Sequence, residues 1–399
     1  MTSLDDDDDS FHRARRRVLR LALGGSAGAA ALAALGPLAG CGGGVGEGGT
    51  GYASGPITGF GSVIVNDIVF DDSGASVEDG EGTARARSEL RLGMVVEIDS
   101  GAIAGGNARA SRVRFDSAVL GPVQSVEADG FIVLGQRVAV DATTVYDDAL
   151  AAGLAALAVG QVVEVYGLFD AGIGRFRATR VERRSSPPLL YRLRGFVADL
   201  IGPGTLRIGT AFFSYAAGSA PAGLAAGSFV RLWVSTTPDL LGRWPVQRFG
   251  VAERVLPDID GVSLKGYVTH FASPASFRVD GRQVDASAAV VSGGALALGA
   301  RVEVGGSLRS GVLVASEVRV RSDQAESERE FDLRGPIERV AADRTSIDVR
   351  GVTIGLTRPG LVYIDGTPAQ LTVGRSVEVR GVVSVGNGAR LDATLVRFR

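Results

Sequence analysis

Few side chains in this chain could carry out chemistry, and their spacing argues against most of it. There is one cysteine, Cys41, and only one histidine, His270, beyond the N-terminal segment. A zinc site needs three or four ligands held together, and a nucleophilic triad needs a base beside the nucleophile. Neither is expected here, and His270 reads as a surface or packing residue. Gly24-Gly25-Ser26-Ala27-Gly28 fits G-x-S-x-G, but it sits in an apolar N-terminal run rather than on a strand-to-helix elbow. Asp258-Ile259-Asp260-Gly261 opens like a calcium loop, yet Val262, Leu264 and Lys265 follow where ligands are needed, so it reads as linker. No metal and no cofactor is implied. Paired carboxylates of the glycosidase kind stay open, because a sequence carries no distances. The chain is expected to be non-catalytic, with an envelope carbohydrate-processing enzyme, or its accessory subunit, as the alternative.

Cys41 has a different chemistry. Leu38-Ala39-Gly40-Cys41 places small residues before a lone thiol, which is what a bacterial lipoprotein signal requires. Arg13, Arg15, Arg16, Arg17 and Arg20 make a positive n-region ahead of the apolar run Val18 to Leu38. That run is weakly hydrophobic and carries Arg20, which makes it a poor permanent span. Arg15-Arg16-Arg17-Val18-Leu19-Arg20 fits a twin-arginine export motif, and an ordinary secretory signal fits equally well. Residues 1–40 are expected to be removed as a signal peptide and Cys41 to be lipidated. Residues 41–54 then form a Gly-rich tether with an r.m.s. span of roughly 20 Å. Gly42, in place of the aspartate that retains lipoproteins in the inner membrane, points to the outer membrane. The chain is therefore expected in the cell envelope, held to a membrane by its lipid, with an envelope polysaccharide or protein as partner.

Binding signals are sparse. Acids and bases are interspersed and the formal net charge is −2, which gives no electrostatic footprint for nucleic acid. Aromatic residues gather between Phe212 and Phe249. In Val230-Arg231-Leu232-Trp233-Val234 a period of two puts Trp233 and Arg231 on one face and the aliphatic residues on the other. Trp233, with Arg231 and Trp244, is the candidate platform for a sugar or another flat ligand. The competing reading is that Trp233 packs against the next copy or under the Pro238 to Trp244 loop.

The elements that position these residues come from an internal repeat. Five copies open on a glycine, at Gly55, Gly121, Gly195, Gly266 and Gly335. Each later has a glycine before a strand: L-G-M-V-V-E-I at Gly93, V-G-Q-V-V-E-V at Gly160, A-G-S-F-V-R-L at Gly227, L-G-A-R-V-E-V at Gly299 and V-G-R-S-V-E-V at Gly374. Each closes on a short strand such as A-S-R-V-R from Ala110. Period-two runs separated by Asp129-Gly130, Asp280-Gly281 and Asp365-Gly366 read as hairpins. The expected fold is all-β: a tandem array of five small OB-like β-barrels at 55–117, 118–184, 190–255, 260–321 and 330–399, with a stack of small sandwiches as the alternative. Asp148 to Val159 is the one stretch expected to form a short helix. Linkers are read at Ser185 to Pro188, Pro257 to Asp260 and Asp323 to Glu330.

The run G-P-I-T-G-F-G-S-V-I-V-N-D-I-V-F-D from Gly55 to Asp71 resembles the opening of tandem-repeat bacterial lipoproteins of the domain of unknown function 5666 family. Asp67 stands where that pattern usually has glycine, so the hairpin is expected to turn on Asn66-Asp67. The resemblance is specific in copies one and two and diffuse in copies three to five. It implies a β-rich extracytoplasmic lipoprotein and no reaction.

Overall fold

Alternating Val, Ile and Leu with polar residues, broken by glycine-containing turns, produces strands throughout. The computed structural model describes residues 49–216, 218–250, 253–321, 331–383 and 391–399. Among these residues all regular structure is strand or short 3-10 turn. No helix there is long and apolar enough to cross a membrane. Residues 1–40, expected to be a signal peptide, with Gly24–Gly28, and also Cys41 and the charged linker 323–330, lie outside the described residues.

In copy one, Thr50–Phe60 pairs antiparallel with Val63–Val65 on one side and with Val95–Gly101 on the other. Val63–Val65 pairs with Ile68–Asp71, which runs parallel to Asn107–Phe115. Asn107–Phe115 returns to Val95–Gly101. The hydrogen-bonded circuit thus closes on itself. This is a five-stranded Greek-key barrel of the OB-like kind.

The same circuit recurs four times. The first and fourth strands pair as Val119–Glu127 with Val162–Asp170, Tyr191–Leu200 with Phe229–Val234, Ile259–Ser273 with Arg301–Arg309, and Phe331–Val340 with Ser376–Val383. The third strand lies parallel to the last in each: Gln136–Ala139 with Arg175–Arg183, Ala211–Ser214 with Trp244–Gly250, Arg282–Asp285 with Val312–Arg321, and Val352–Gly355 with Leu391–Phe398.

Turn chemistry follows the backbone only in part. Asn66-Asp67 (φ 53° and 63°) and Asp280-Gly281 (φ 49° and 89°) are hairpin turns with both residues left-handed. Asp129-Gly130 and Asp365-Gly366 are not. Gly130 already belongs to a strand, where a Cβ would come within 1.9 Å of the Val138 carbonyl oxygen. Asp365-Gly366 leads from Val362–Ile364 towards the 3-10 turn Pro368–Gln370. The helix expected from Asp148 is two 3-10 turns, Asp148–Leu150 and Gly153–Ala156, because Gly153 takes φ +64° at the start of the second.

The barrels share strands and cores. Gly51 to Ser54 of the first strand pair in parallel with Gly261 to Leu264 of copy four, and Gly59-Phe60 pair with Asp332-Leu333 of copy five. Arg192-Leu193 of copy three pair with Val119-Leu120 of copy two. Ala53, Ile57 and Ile98 of copy one lie in one apolar cluster with Leu333, Ile347 and Val379 of copy five. Val165 and Phe131 cluster with Leu193 and Leu232 in the same way. Tyr52 of copy one enters the core of copy four. At Gly93 (φ +79°) the backbone passes so close to copy two that a Cβ would lie 2.3 Å from the Thr179 carbonyl oxygen, and Thr179 Oγ1 donates to the Gly93 carbonyl at 2.6 Å.

Candidate functional site

The glutamate of the recurring V-E-V strand points away from its barrel core, by the period of two. In copies two, four and five it is clasped by cations. Glu164, wholly buried, accepts from Arg184 and from Arg192 of copy three. Glu303 meets Lys265 Nζ at 3.0 Å and Arg321 at 2.6 Å. Glu378 accepts from Arg399, with Arg397 at 3.6 Å and Arg334 at 3.8 Å. A carboxylate out of water needs such partners. Burial alone would raise the Glu303 and Glu378 carboxyls; the donors and positive charges around them outweigh it and hold both below the usual range.

Copies one and three break this clamp. Glu97 of copy one faces Ser54 on one neighbouring strand and Arg114 on the other. Arg114 bonds Glu78 instead, at 2.8 Å. Glu97 is left with Arg254, from the segment before copy four, at 3.3 Å. Copy three has Arg231 at the glutamate position, directly opposite Arg194. Like charges cannot clasp, so Arg231 reaches to copy one, where it donates to the Gly80 carbonyl at 2.8 Å and to Asp116.

Between these two open clamps lies a cavity of about 450 Å³. Its wall holds four guanidiniums, Arg114, Arg194, Arg231 and Arg254, and three carboxylates, Glu97, Asp116 and Asp280. The Nε atoms of Arg194 and Arg231 are buried without a hydrogen-bond partner, while Nε of Arg254 faces Oε2 of Glu97 at 3.3 Å as an ion pair. Burial lowers the Arg231 pKa, and Asp116 offsets it only in part. For Arg194 burial acts the same way, but Asp116, Asp280 and Glu97 prevail and raise it. Both guanidiniums stay charged. Such groups bind carboxylates and phosphates in a fixed, planar geometry.

The candidate platform at Trp233 requires correction. Val230, Leu232 and Val234 do enter the core, and Trp233 lies on the other face beside Arg231. Yet Trp233 is only 6 % exposed, because copy one covers it. Its Nε1 donates to Glu81 at 2.6 Å, and the Arg248 guanidinium stacks 3.7 Å from the ring centroid. Glu81 also pairs with Arg248 at 2.9 Å. Trp244 packs edge-on against Tyr191 at 5.7 Å, inside the apolar cluster of copies two and three. Neither indole presents a face to a ligand, whereas Arg231 lines the cavity. His270 is exposed on Ile259–Ser273. Asp258 accepts from the Ser310 amide at 2.8 Å and Asp260 pairs with Arg309 at 2.9 Å, so both carboxylates serve local structure. Among the described residues no three His, Cys or carboxylate side chains gather as a metal site.

Sequence reasoning missed Arg194, Arg254, Arg114, Glu97, Asp116 and Asp280. One signal was present: copy three reads V-R-L where the other copies read V-E-V or V-E-I. An arginine at the repeat's glutamate position marks a clamp that must find its carboxylate elsewhere.

The family described as Domain of unknown function (DUF5666) matches residues 121–182, 265–319 and 334–397. These are copies two, four and five, in which the glutamate clamp is closed. Copy one, whose opening motif carried the resemblance, lies outside the matched segments, and copies four and five are not the diffuse matches that were expected. No curated protein matches the chain. A solved structure titled drosophila Unr CSD456 is similar at 15% identity, covering 52% of this chain and 98% of that one, with a TM-score of 0.14. The barrel assignment rests on the strand pairings.

Proposed function

We propose that this chain, a carrier of DUF5666 domains, is a lipid-anchored, non-catalytic binding protein of the bacterial envelope. Its ligand is a small saccharide bearing a carboxylate or phosphate, held in the cavity between copies one, three and four. The address rests on the Leu38-Ala39-Gly40-Cys41 segment. The observation that carries the binding reading is the cavity wall: four guanidiniums from three different parts of the chain converge there against three carboxylates, an excess of one positive charge. An anion balances that excess and accepts from the guanidiniums that line the cavity. The cavity volume suits a ligand of this size, since small-molecule sites run from roughly 300 to 1,000 Å³.

Calorimetric titration with glucuronate, galacturonate and glucose 6-phosphate, against glucose as the neutral control, tests this. Binding of an acidic sugar by the wild type, lost in Arg194→Gln, is the expected result. Absence of heat for every acidic sugar at millimolar concentration rejects the reading, as does equal binding by the variant.

A further inference from the structure

Copy three ends in a built apolar tip. Leu240 and Leu241 are 105 % and 76 % exposed, side by side between the fourth and last strands of that barrel. The loop under them is tightly bonded. Asp239 Oδ1 accepts from the amides of Leu241 at 3.0 Å and Arg243 at 2.9 Å. The Asp239 amide bonds the Arg243 carbonyl at 2.8 Å, and Gly242 turns at φ +74°. Arg243 donates to Asp239 Oδ2 at 2.8 Å and to Thr205 Oγ1 at 3.3 Å, which ties the loop to the neighbouring hairpin. That hairpin carries Leu200 and Ile201, themselves about half exposed, with the Ile201 amide on the Thr205 carbonyl at 2.9 Å. Four aliphatic side chains thus occupy one end of one barrel.

We infer that this tip inserts into the headgroup boundary of the bilayer that holds the chain. The inference rests on the lipid-anchor reading above. From Cys41 to Gly49, the first described residue, the chain spans at most about 28 Å when fully extended, so copy one is held next to the membrane surface. A protruding tip of this size offers far less area than the roughly 800 Å² per partner of a stable protein interface. A fluid apolar phase needs no shape complementarity, and an apolar tip adds a protein contact to the acyl attachment. The hydrogen-bonded loop presents the leucines already ordered, so little conformational freedom is lost on insertion.

The test uses the mature chain with Cys41→Ser, which removes acylation and separates this inference from the anchor itself. Co-sedimentation with vesicles of phosphatidylethanolamine and phosphatidylglycerol measures partitioning. The unacylated chain should bind, and Leu240→Ser with Leu241→Ser should lower the partition coefficient about 100-fold, with an unchanged melting temperature. Leu189→Ser, at a 95 % exposed leucine outside the loop, should leave it unchanged. No vesicle binding by the unacylated chain overturns the inference. So does binding that survives the double substitution, or an equal loss in Leu189→Ser.

Discussion

Replacing Trp233 by alanine should loosen copy three from copy one. The indole is almost wholly buried, yet it lies outside its own barrel core, so what it loses is contact with the Glu81 loop and with Arg248. Truncating a buried tryptophan costs about 3–5 kcal/mol. Part of that is the Nε1–H bond to the Glu81 carboxylate. Hydrogen bonds to charged groups contribute about 1.5–3 kcal/mol, and the half-exposed Glu81 brings this one to the low end. Trp233→Phe keeps most of the apolar contact and loses that bond, so it should cost about 1–2 kcal/mol. A cycle of Trp233→Phe with Glu81→Gln should give a coupling of about 1 kcal/mol. Unfolding is followed by far-ultraviolet dichroism, since the substitution alters fluorescence itself. Limited proteolysis supplies a second readout: the Ser185 to Leu189 segment, exposed between copies two and three, should be cut faster. A loss below about 1 kcal/mol for Trp233→Ala, with an unchanged digest, would refute the covering role and restore an accessible indole.

Three further outcomes can be checked. Gly93→Val combines a left-handed backbone with a collision against the Thr179 carbonyl, and should destabilise by at least about 2 kcal/mol in urea titration. Glu378 has its pKa held below the ordinary 4.5 in the folded chain, so its contribution is full above that value and is lost as pH falls through the folded pKa. Glu378→Gln should therefore lower the melting temperature at pH 7, and the gap to wild type should shrink below about pH 4; a gap that widens in acid contradicts the clamp. Cys41→Ser should abolish incorporation of a labelled lipid precursor, and equal labelling of both proteins would rule out acylation there.

Much of the barrel was legible because its causes are local. The glycine before each V-E-V strand, the period-two alternation and the Asn66-Asp67 turn act over a few residues, and the strand circuits follow from them. Asp129-Gly130 misled because a glycine can serve a close strand approach as readily as a turn. The association of the barrels was illegible: Gly51 pairs with Gly261 across a gap that no local pattern signals. The same holds for the cavity, whose arginines are brought together by strands distant in sequence. Trp233 shows the limit of face assignment. A period of two tells which side of a strand a residue occupies, but not whether another barrel covers that side.

The shared first strand also sets an order of events. Thr50–Phe60 needs Val95–Gly101 to close its own barrel, Gly261 to Leu264 to complete one flank and Asp332-Leu333 to complete its end. Synthesis delivers these partners one after another, the last some 270 residues behind the strand that waits for them, and closing such long loops precedes any reward from the contacts. The first barrel made is therefore the last to be finished. Until then Gly51 to Ser54 present an unpaired edge, open to a second nascent chain. On the proposed envelope location, export must either wait for the C-terminal barrel or guard that edge through the passage.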